Sequence, residues 1–194
     1  VTYLAFADYE RPAMRMAALM GLPVKFVFGH DSIGIGKNGP THQPVEILAS
    51  LAGHAQHAGA SAPPMPSRPP SAGRSLLEHR SGPSTLVFAR QALPHVRTVG
   101  GARRICSQPW RLCARRCRGG AASASRLLAT GSEVVLALAA RRTLQAAGSP
   151  TAVVSMPSWE LFEMQPVDYR MQVLGPGTVR VAVRRARRPV DRSP

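Results

Sequence analysis

Stretches with a clear hydrophobic period alternate along this chain with stretches that have none. Residues 11–20 place Met14, Met16, Ala17, Leu19 and Met20 at helical spacing and run into Gly21, which predicts a helix ended by the glycine. Residues 22–28 form a short apolar run of strand length, and residues 45–51 predict a second helix. The Gly- and Pro-rich residues between them, 29–44, predict a loop. A second patterned block covers residues 75–96, with a helix end at Leu76-Leu77-Glu78, a turn at Ser81-Gly82-Pro83 and a strand over 85–88. A third covers residues 126–183, with a helix over 133–147 and strands over 151–155 and 178–183 on either side of the segment 156–162. Strand, glycine loop and helix in that order predict an α/β fold.

The intervening stretches behave differently. Residues 54–74 carry neither period, and Pro63, Pro64, Pro66, Pro69 and Pro70 would break a helix or a central strand. A linker without fixed structure accounts for that composition. Charge is lopsided as well: the net charge is +15, with 23 arginines against two lysines, Lys25 and Lys37. A surface built for nucleic acid draws on both cations, since either neutralises phosphate, so the excess of arginine is weak evidence for such a partner. No acid lies between Glu46 and Glu78, or between Glu78 and Glu133. Arginine-, proline- and alanine-rich sequence without acids is what GC-rich DNA encodes when read out of frame.

Other classes drop out quickly. No apolar run reaches the roughly 18 residues of a membrane span, so no membrane partner is expected. No basic segment followed by an apolar core opens the chain, so no secretory signal is visible, and a cytoplasmic location is expected. Three cysteines do not make a disulfide framework. Cys106, Cys113 and Cys117, without a nearby histidine, do not match zinc spacing.

Candidate chemistry gathers around the loop at 29–44. His30, Asp31 and His42 share it with several glycines at the end of a strand, where binding and catalytic groups are commonly built. Gly34, Gly36 and Gly39 satisfy a dinucleotide-binding spacing, but Pro40 and Pro44 delay the helix that such a fingerprint opens directly. Upstream, Tyr3, Phe6 and Tyr9 recur every third residue, which places three rings along one helical face. Core packing and a pocket for a planar heterocycle both suit them. Arg90, just past a predicted strand, is placed to grip a phosphate through paired hydrogen bonds, or to sit on the surface satisfied by water.

The string from His30 to Pro44 resembles the transketolase loop HDSIGxGEDGPTHQP. Arg15-Met16-Ala17-Ala18-Leu19-Met20 strengthens the likeness, and Ala89-Arg90-Gln91-Ala92-Leu93-Pro94 is similar to the family's SRQNLP. The resemblance implies an α/β fold. Residues 1–97 would be the later part of a pyrimidine-binding domain, a parallel sheet with flanking helices, and residues 108–194 a smaller α/β C-terminal domain. It implies a transferase of the pentose phosphate pathway, moving a two-carbon ketol unit from a ketose phosphate to an aldose phosphate with thiamine diphosphate. Tyr3, Phe6 and Tyr9 would then hold the aminopyrimidine of that cofactor. His30 and Arg90 would hold the substrate phosphate, and His42 would stand beside the reacting carbon as the catalytic imidazole. Asn38 falls where the family has an aspartate that accepts a hydrogen bond from a substrate hydroxyl. Lys37 and Asn38 both depart from the family's Glu-Asp, which leaves donor preference open. The family's domain for the diphosphate and Mg²⁺, and the glutamate that activates the pyrimidine, lie upstream of Val1, and its active site forms between two subunits of a homodimer. A fragment inactive by itself is therefore expected. Dihydroxyacetone synthase shares the loop, and a non-enzymatic basic nucleic-acid-binding product is the alternative from another class.

The resemblance also gives the unpatterned stretches a meaning. Back-translating residues 51–74 and reading one base later gives RAMPNMLVLRPADAVETAE, which suits the family at that point. Residues 108–117 shift to HGGYVLADA, with the first glycine forced by the Trp110 codon. Residues 53–74, about 98–125 and 184–194 are thus expected to be out of frame, removing a strand and helix from the first domain and the opening strand from the second. His54, His57 and the three cysteines would be accidents of that shift.

Overall fold

A computed structural model describes residues 1–31, 38–53, 61–62, 79–94, 113–115, 124–156, 158 and 162–183. Among these, residues 1–62 and 79–92 belong to one compact unit and residues 113–183 to another. The predicted helix end at 76–78, His54, His57, Cys106, Cys117 and most of the stretches read as out of frame lie outside the described residues.

The first unit contains β1 (Thr2–Tyr3), α1 (Ala7–Leu19), β2 (Lys25–Gly29), α2 (Ile47–Gly53), β3 (Ser61–Ala62) and β4 (Ser84–Val87). Its sheet has the order β1-β2-β4-β3, with every pair parallel. α1 starts four residues before the apolar pattern does. Asp8 and Glu10 in its first turn complement the helix dipole, and Arg11 Nε donates to Asp8 Oδ1 at 2.5 Å one turn away. Gly21 follows with φ 63°, a left-handed turn that ends the helix where the sequence places its stop.

The core of this unit is Leu4, Ala7, Phe28, Ile47 and Val87, with Met14, Phe26, Leu48 and Leu51 packed against it. α1 therefore buries a narrow stripe through Ala7, Met14 and Ala17, while Met16, Leu19 and Met20 stay exposed. Residues 54–74 were expected to hold no strand, yet Ser61 and Ala62 pair with Thr85 and Leu86 on the outer edge of β4. A ladder needs only backbone N–H and C=O groups, which any in-frame or out-of-frame residue other than proline supplies.

The second unit contains β5 (Cys113–Arg115), β6 (Ser125–Ala129), α3 (Glu133–Ala146), β7 (Thr151–Ser155), α4 (Val167–Leu174) and β8 (Val179–Val183). The sheet order is β5-β7-β6-β8, with β6 parallel to both neighbours and β5 antiparallel to β7. Here too a strand occupies a stretch expected to lack one. β6 pairs over its full length with both β7 and β8, from Ser125 opposite Thr151 and Val179 to Ala129 opposite Ser155 and Val183. Successive residues of β7 serve opposite faces: Val153 joins Leu127, Ala129, Val134 and Ala137, while Val154 joins Met156, Phe162 and Val173.

Among the described residues, Arg126, Arg141 and Arg180 are used as backbone donors in this unit, Arg180 Nη2 reaching the Gly175 carbonyl at 3.4 Å. Arg126 Nη1 donates to the carbonyls of Gln172 (2.9 Å) and Val173, satisfying the C-terminal end of α4. Gly175 ends α4 at φ 72°, and a Cβ there would lie 2.4 Å from Arg126 Nε. Arg141, buried on α3, donates through Nε to the Thr151 carbonyl at 3.0 Å.

Candidate functional site

Because β1, β2 and β4 run parallel, their C-terminal ends share one edge of the sheet. Tyr3 ends β1 opposite Gly29, and His30 follows directly on β2. The Phe88 amide donates to the Phe28 carbonyl at 2.7 Å, and the Asp31 amide to the Phe88 carbonyl at 3.3 Å. Those two bonds tie the chain leaving β2 to the chain leaving β4, so His30 and Arg90 emerge at the same edge. Arg90 is exposed there.

Tyr3, Phe6 and Tyr9 do not share one helical face, as their spacing suggested. Tyr3 belongs to β1, Phe6 to a 3₁₀ turn over Leu4–Phe6, and Tyr9 to the first turn of α1. The rings still adjoin because the 3₁₀ turn brings residues three apart into line. Tyr3 and Phe6 lie nearly parallel at 11°, with centroids 6.0 Å apart, and Phe6 and Tyr9 are 6.2 Å apart and tilted. Tyr9 is 84% exposed.

Both imidazoles converge on this row. His30 lies over Tyr3 with a centroid distance of 3.8 Å and a tilt of 30°. Its backbone has φ 60°, and among the described residues no other non-glycine is left-handed. His42, at the end of a 3₁₀ turn over Pro40–His42, meets Tyr3 at 5.9 Å and Phe6 at 5.2 Å, edge-on to both. Thr41 Oγ1 is hydrogen-bonded to His42 Nδ1 at 2.9 Å, so Nε2 is the nitrogen left to meet a ligand. Asn38, partly buried, leads into that turn through Gly39, whose φ is 68°. Lys37 lies outside the described residues.

The site edge thus brings together Tyr3, Phe6, His30 and His42 in direct ring contact, with Tyr9 at one end of the row. Arg90 and Asn38 stand on the adjoining loops. Sequence reasoning missed two features, the strained backbone of His30 and the hydroxyl partner of His42. Thr41 was adjacent in the sequence and could have been named; the φ of His30 has no sequence signal.

At the opposite end of β2, Lys25 Nζ donates to the His79 carbonyl at 2.5 Å and approaches Ser84 Oγ at 3.4 Å. Burial and the nearby Arg80 charge hold the Lys25 ammonium below its ordinary value, while burial and Lys25 hold His79 below its own. Among the described residues, no three His, Cys, Asp or Glu side chains gather as a metal site, and no helix is long and apolar enough to cross a membrane.

Two α/β units in series, the first with a parallel sheet and an imidazole-bearing loop at its C-terminal strand edge, define the class of this protein. Residues 1–96 match the family model for the transketolase pyrimidine-binding domain, and residues 114–190 match that for the transketolase-like C-terminal domain. A transketolase of Cereibacter sphaeroides is 45% identical over 174 residues, covering 90% of this chain and 26% of the relative. One from Geobacillus stearothermophilus is 43% identical over 183 residues, covering 94% and 27%. A solved structure of a Pichia stipitis transketolase variant with fructose-6-phosphate superposes with a TM-score of 0.79 at 30% identity, covering 95% of this chain and 26% of that one. The chain belongs to the transketolase family, as a stretch with its pyrimidine-binding and C-terminal domains. It spans about a quarter of the length of the relatives it matches.

Proposed function

We propose that these residues are the substrate-facing part of a ketol transferase acting on sugar phosphates, and that they are inactive without the remainder of the enzyme. The observation that carries the reading is the convergence of His30 and His42 on the Tyr3–Phe6 row at the C-terminal edge of a parallel sheet. His30 donates to the substrate phosphate, joined by Arg90, whose planar guanidinium suits two phosphate oxygens at once. His42 presents Nε2 toward the reacting carbon, where an imidazole N–H stabilises or protonates a developing oxyanion. Its Nδ1 is engaged by Thr41, which fixes the ring's orientation. Asn38 accepts a hydrogen bond from a substrate hydroxyl through its amide oxygen and, being neutral, binds that hydroxyl more weakly than a carboxylate.

Thiamine diphosphate, when bound, supplies the carbanion-stabilising chemistry of the reaction. The rings present fit its aminopyrimidine on one side only. A third ring between Tyr3 and Phe6 needs two contacts of roughly 3.5 Å each, about 7 Å in all, and their centroids are 6.0 Å apart. Tyr3, Phe6 and Tyr9 would therefore line one side of the heterocycle rather than sandwich it between two of them. The cofactor's diphosphate and its Mg²⁺, the second subunit of a homodimer and the cytoplasmic location belong to the reading of the whole enzyme.

The test is a ketol-transfer assay. The purified 194-residue chain is expected to show no transfer from a ketose phosphate to an aldose phosphate, and a measurable rate overturns the fragment reading. NMR of the same chain tests the site itself: inorganic phosphate is expected to shift His30 and Arg90 resonances, and unshifted resonances overturn their assignment.

The readings of residues 53–74, about 98–125 and 184–194 as out of frame join this proposal. Their support is the family-like sequence recovered by a one-base shift in the first two; the gap between the two family-model matches, 97–113, bears on the second stretch alone, since 53–74 and 184–190 fall inside the matches. The strands at 61–62 and 113–115 limit what such a shift removes. Resequencing the coding DNA decides it, and one uninterrupted frame through residues 103–118 overturns it.

A further inference from the structure

Tyr3 takes part in three of the ring contacts at the site: with Phe6, with His30 and with His42. Its closest partner is not the ring row but His30, 3.8 Å away at centroid level, closer than the roughly 4.5–7 Å usual for paired rings. His30 is also the residue whose backbone stands at φ 60°. A left-handed histidine is disfavoured by its own Cβ and persists only where surrounding contacts outweigh the strain. The parallel register explains which contact does this. Tyr3 lies opposite Gly29, so the residue after Gly29 passes the end of β1, and a left-handed turn there folds the imidazole back over the phenol ring. The edge-on approach of His42 then uses the rest of the same ring system.

We propose that Tyr3 is the positioning residue for both imidazoles. Its face holds His30 in the left-handed conformation that aims the ring over the sheet edge, and its edge contact sets the angle of His42. It acts on them through those ring contacts. What the imidazoles bind rests on the sugar-phosphate reading above; how they are held does not.

The test uses the 194-residue chain labelled at histidine, as wild type, Tyr3→Phe and Tyr3→Leu. In the wild type, His30 ring protons are displaced upfield by the Tyr3 ring current, and the His30 amide coupling reports a left-handed φ. Tyr3→Phe keeps both signatures. Tyr3→Leu loses the displacement, changes the coupling and shifts His42 as well. Inorganic phosphate, followed at His30, is expected to bind Tyr3→Phe within about twofold of wild type and Tyr3→Leu about tenfold more weakly, roughly 1.4 kcal/mol. If wild type shows the ring-current signature but phosphate leaves His30 unmoved, the phosphate assignment fails and the positioning role stands. A wild-type His30 without that displacement, or a Tyr3→Leu chain identical to wild type at both imidazoles, overturns the positioning role. Should Tyr3→Leu fail to fold, Tyr3→Trp replaces it: a larger ring face moves His30 further upfield, and an unmoved His30 again overturns the proposal.

Discussion

The first sheet pairs strands of two, five, four and two residues, whereas β6, β7 and β8 of the second run five residues each in matched register. The first carries the imidazoles, the ring row and a left-handed histidine at its edge. Among the described residues, many polar side chains of the second bond its own backbone: Arg126 caps α4, Arg141 and Gln145 bond the Thr151 carbonyl, and Thr178 bonds Leu174 and Gly175. The contrast separates two uses of polar groups. Where side chains satisfy backbone carbonyls, a unit gains stability; where they stack at a strand end with a nitrogen left over, they are available to a ligand.

Substitutions in the two cores test this contrast with the largest effects. Phe28→Ala empties the most voluminous fully buried position among the described residues, in the cluster of Leu4, Ala7, Ile47 and Val87. A loss of about 3–5 kcal/mol is expected, enough to unfold a marginal unit. Amide exchange should show β2 and β4 losing protection while β6 and β7 keep theirs. Met156→Ala does the reverse, at about 2–5 kcal/mol, because Met156 is fully buried among Val154, Phe162 and Val173. Simultaneous loss of protection in both units, in either variant, breaks the comparison.

Gly175→Ala comes next. It combines left-handed strain at φ 72° with displacement of the Arg126 guanidinium from the end of α4. The strain and the weakened cap together cost about 2 kcal/mol. Urea denaturation should show this, and Arg126→Gln in the same background should add little, since the cap is already displaced.

The smallest effect concerns pH. Burial first, and the Lys25 charge second, hold His79 below its ordinary value of 6.5 in the folded chain. The unfolded chain therefore takes up the proton first as pH falls. Stability is fully present above pH 6.5 and is lost as pH drops through the lower folded value. Thermal unfolding followed between pH 7 and 5 should show a decline that His79→Gln reduces, with Lys25 still bonded to the residue 79 carbonyl. An unchanged slope in that variant removes His79 as the cause.

The patterned blocks made much of the fold readable. Residues 151–155 are a strand as predicted, α3, β4 and β8 fall within one residue of their expected places, and β2 starts three residues later than the apolar run. Several elements escaped, among them β1, β3, β5, β6 and α4. β6 is too short for its Leu127-Leu128 pair to establish a period, and α4 buries only Val173, so no apolar stripe announces it. The site was legible as a set of residues and not as an arrangement. The ring spacing read as one helix but spans a strand, a 3₁₀ turn and a helix.

By itself, the sequence determined the family, through the loop from His30 to Pro44, and the local elements, through periodicity and the glycine stop at Gly21. Local chemistry suffices for these, because propensity, capping and patterning act over a few neighbouring residues. Only the tertiary structure decided that Tyr3 faces His30, that Arg126 serves α4, and that two residues at 61–62 complete an edge. Each depends on strands distant in sequence settling into one register, and that register is fixed by burial of Phe28, Val87 and Val153 rather than by any neighbour along the chain.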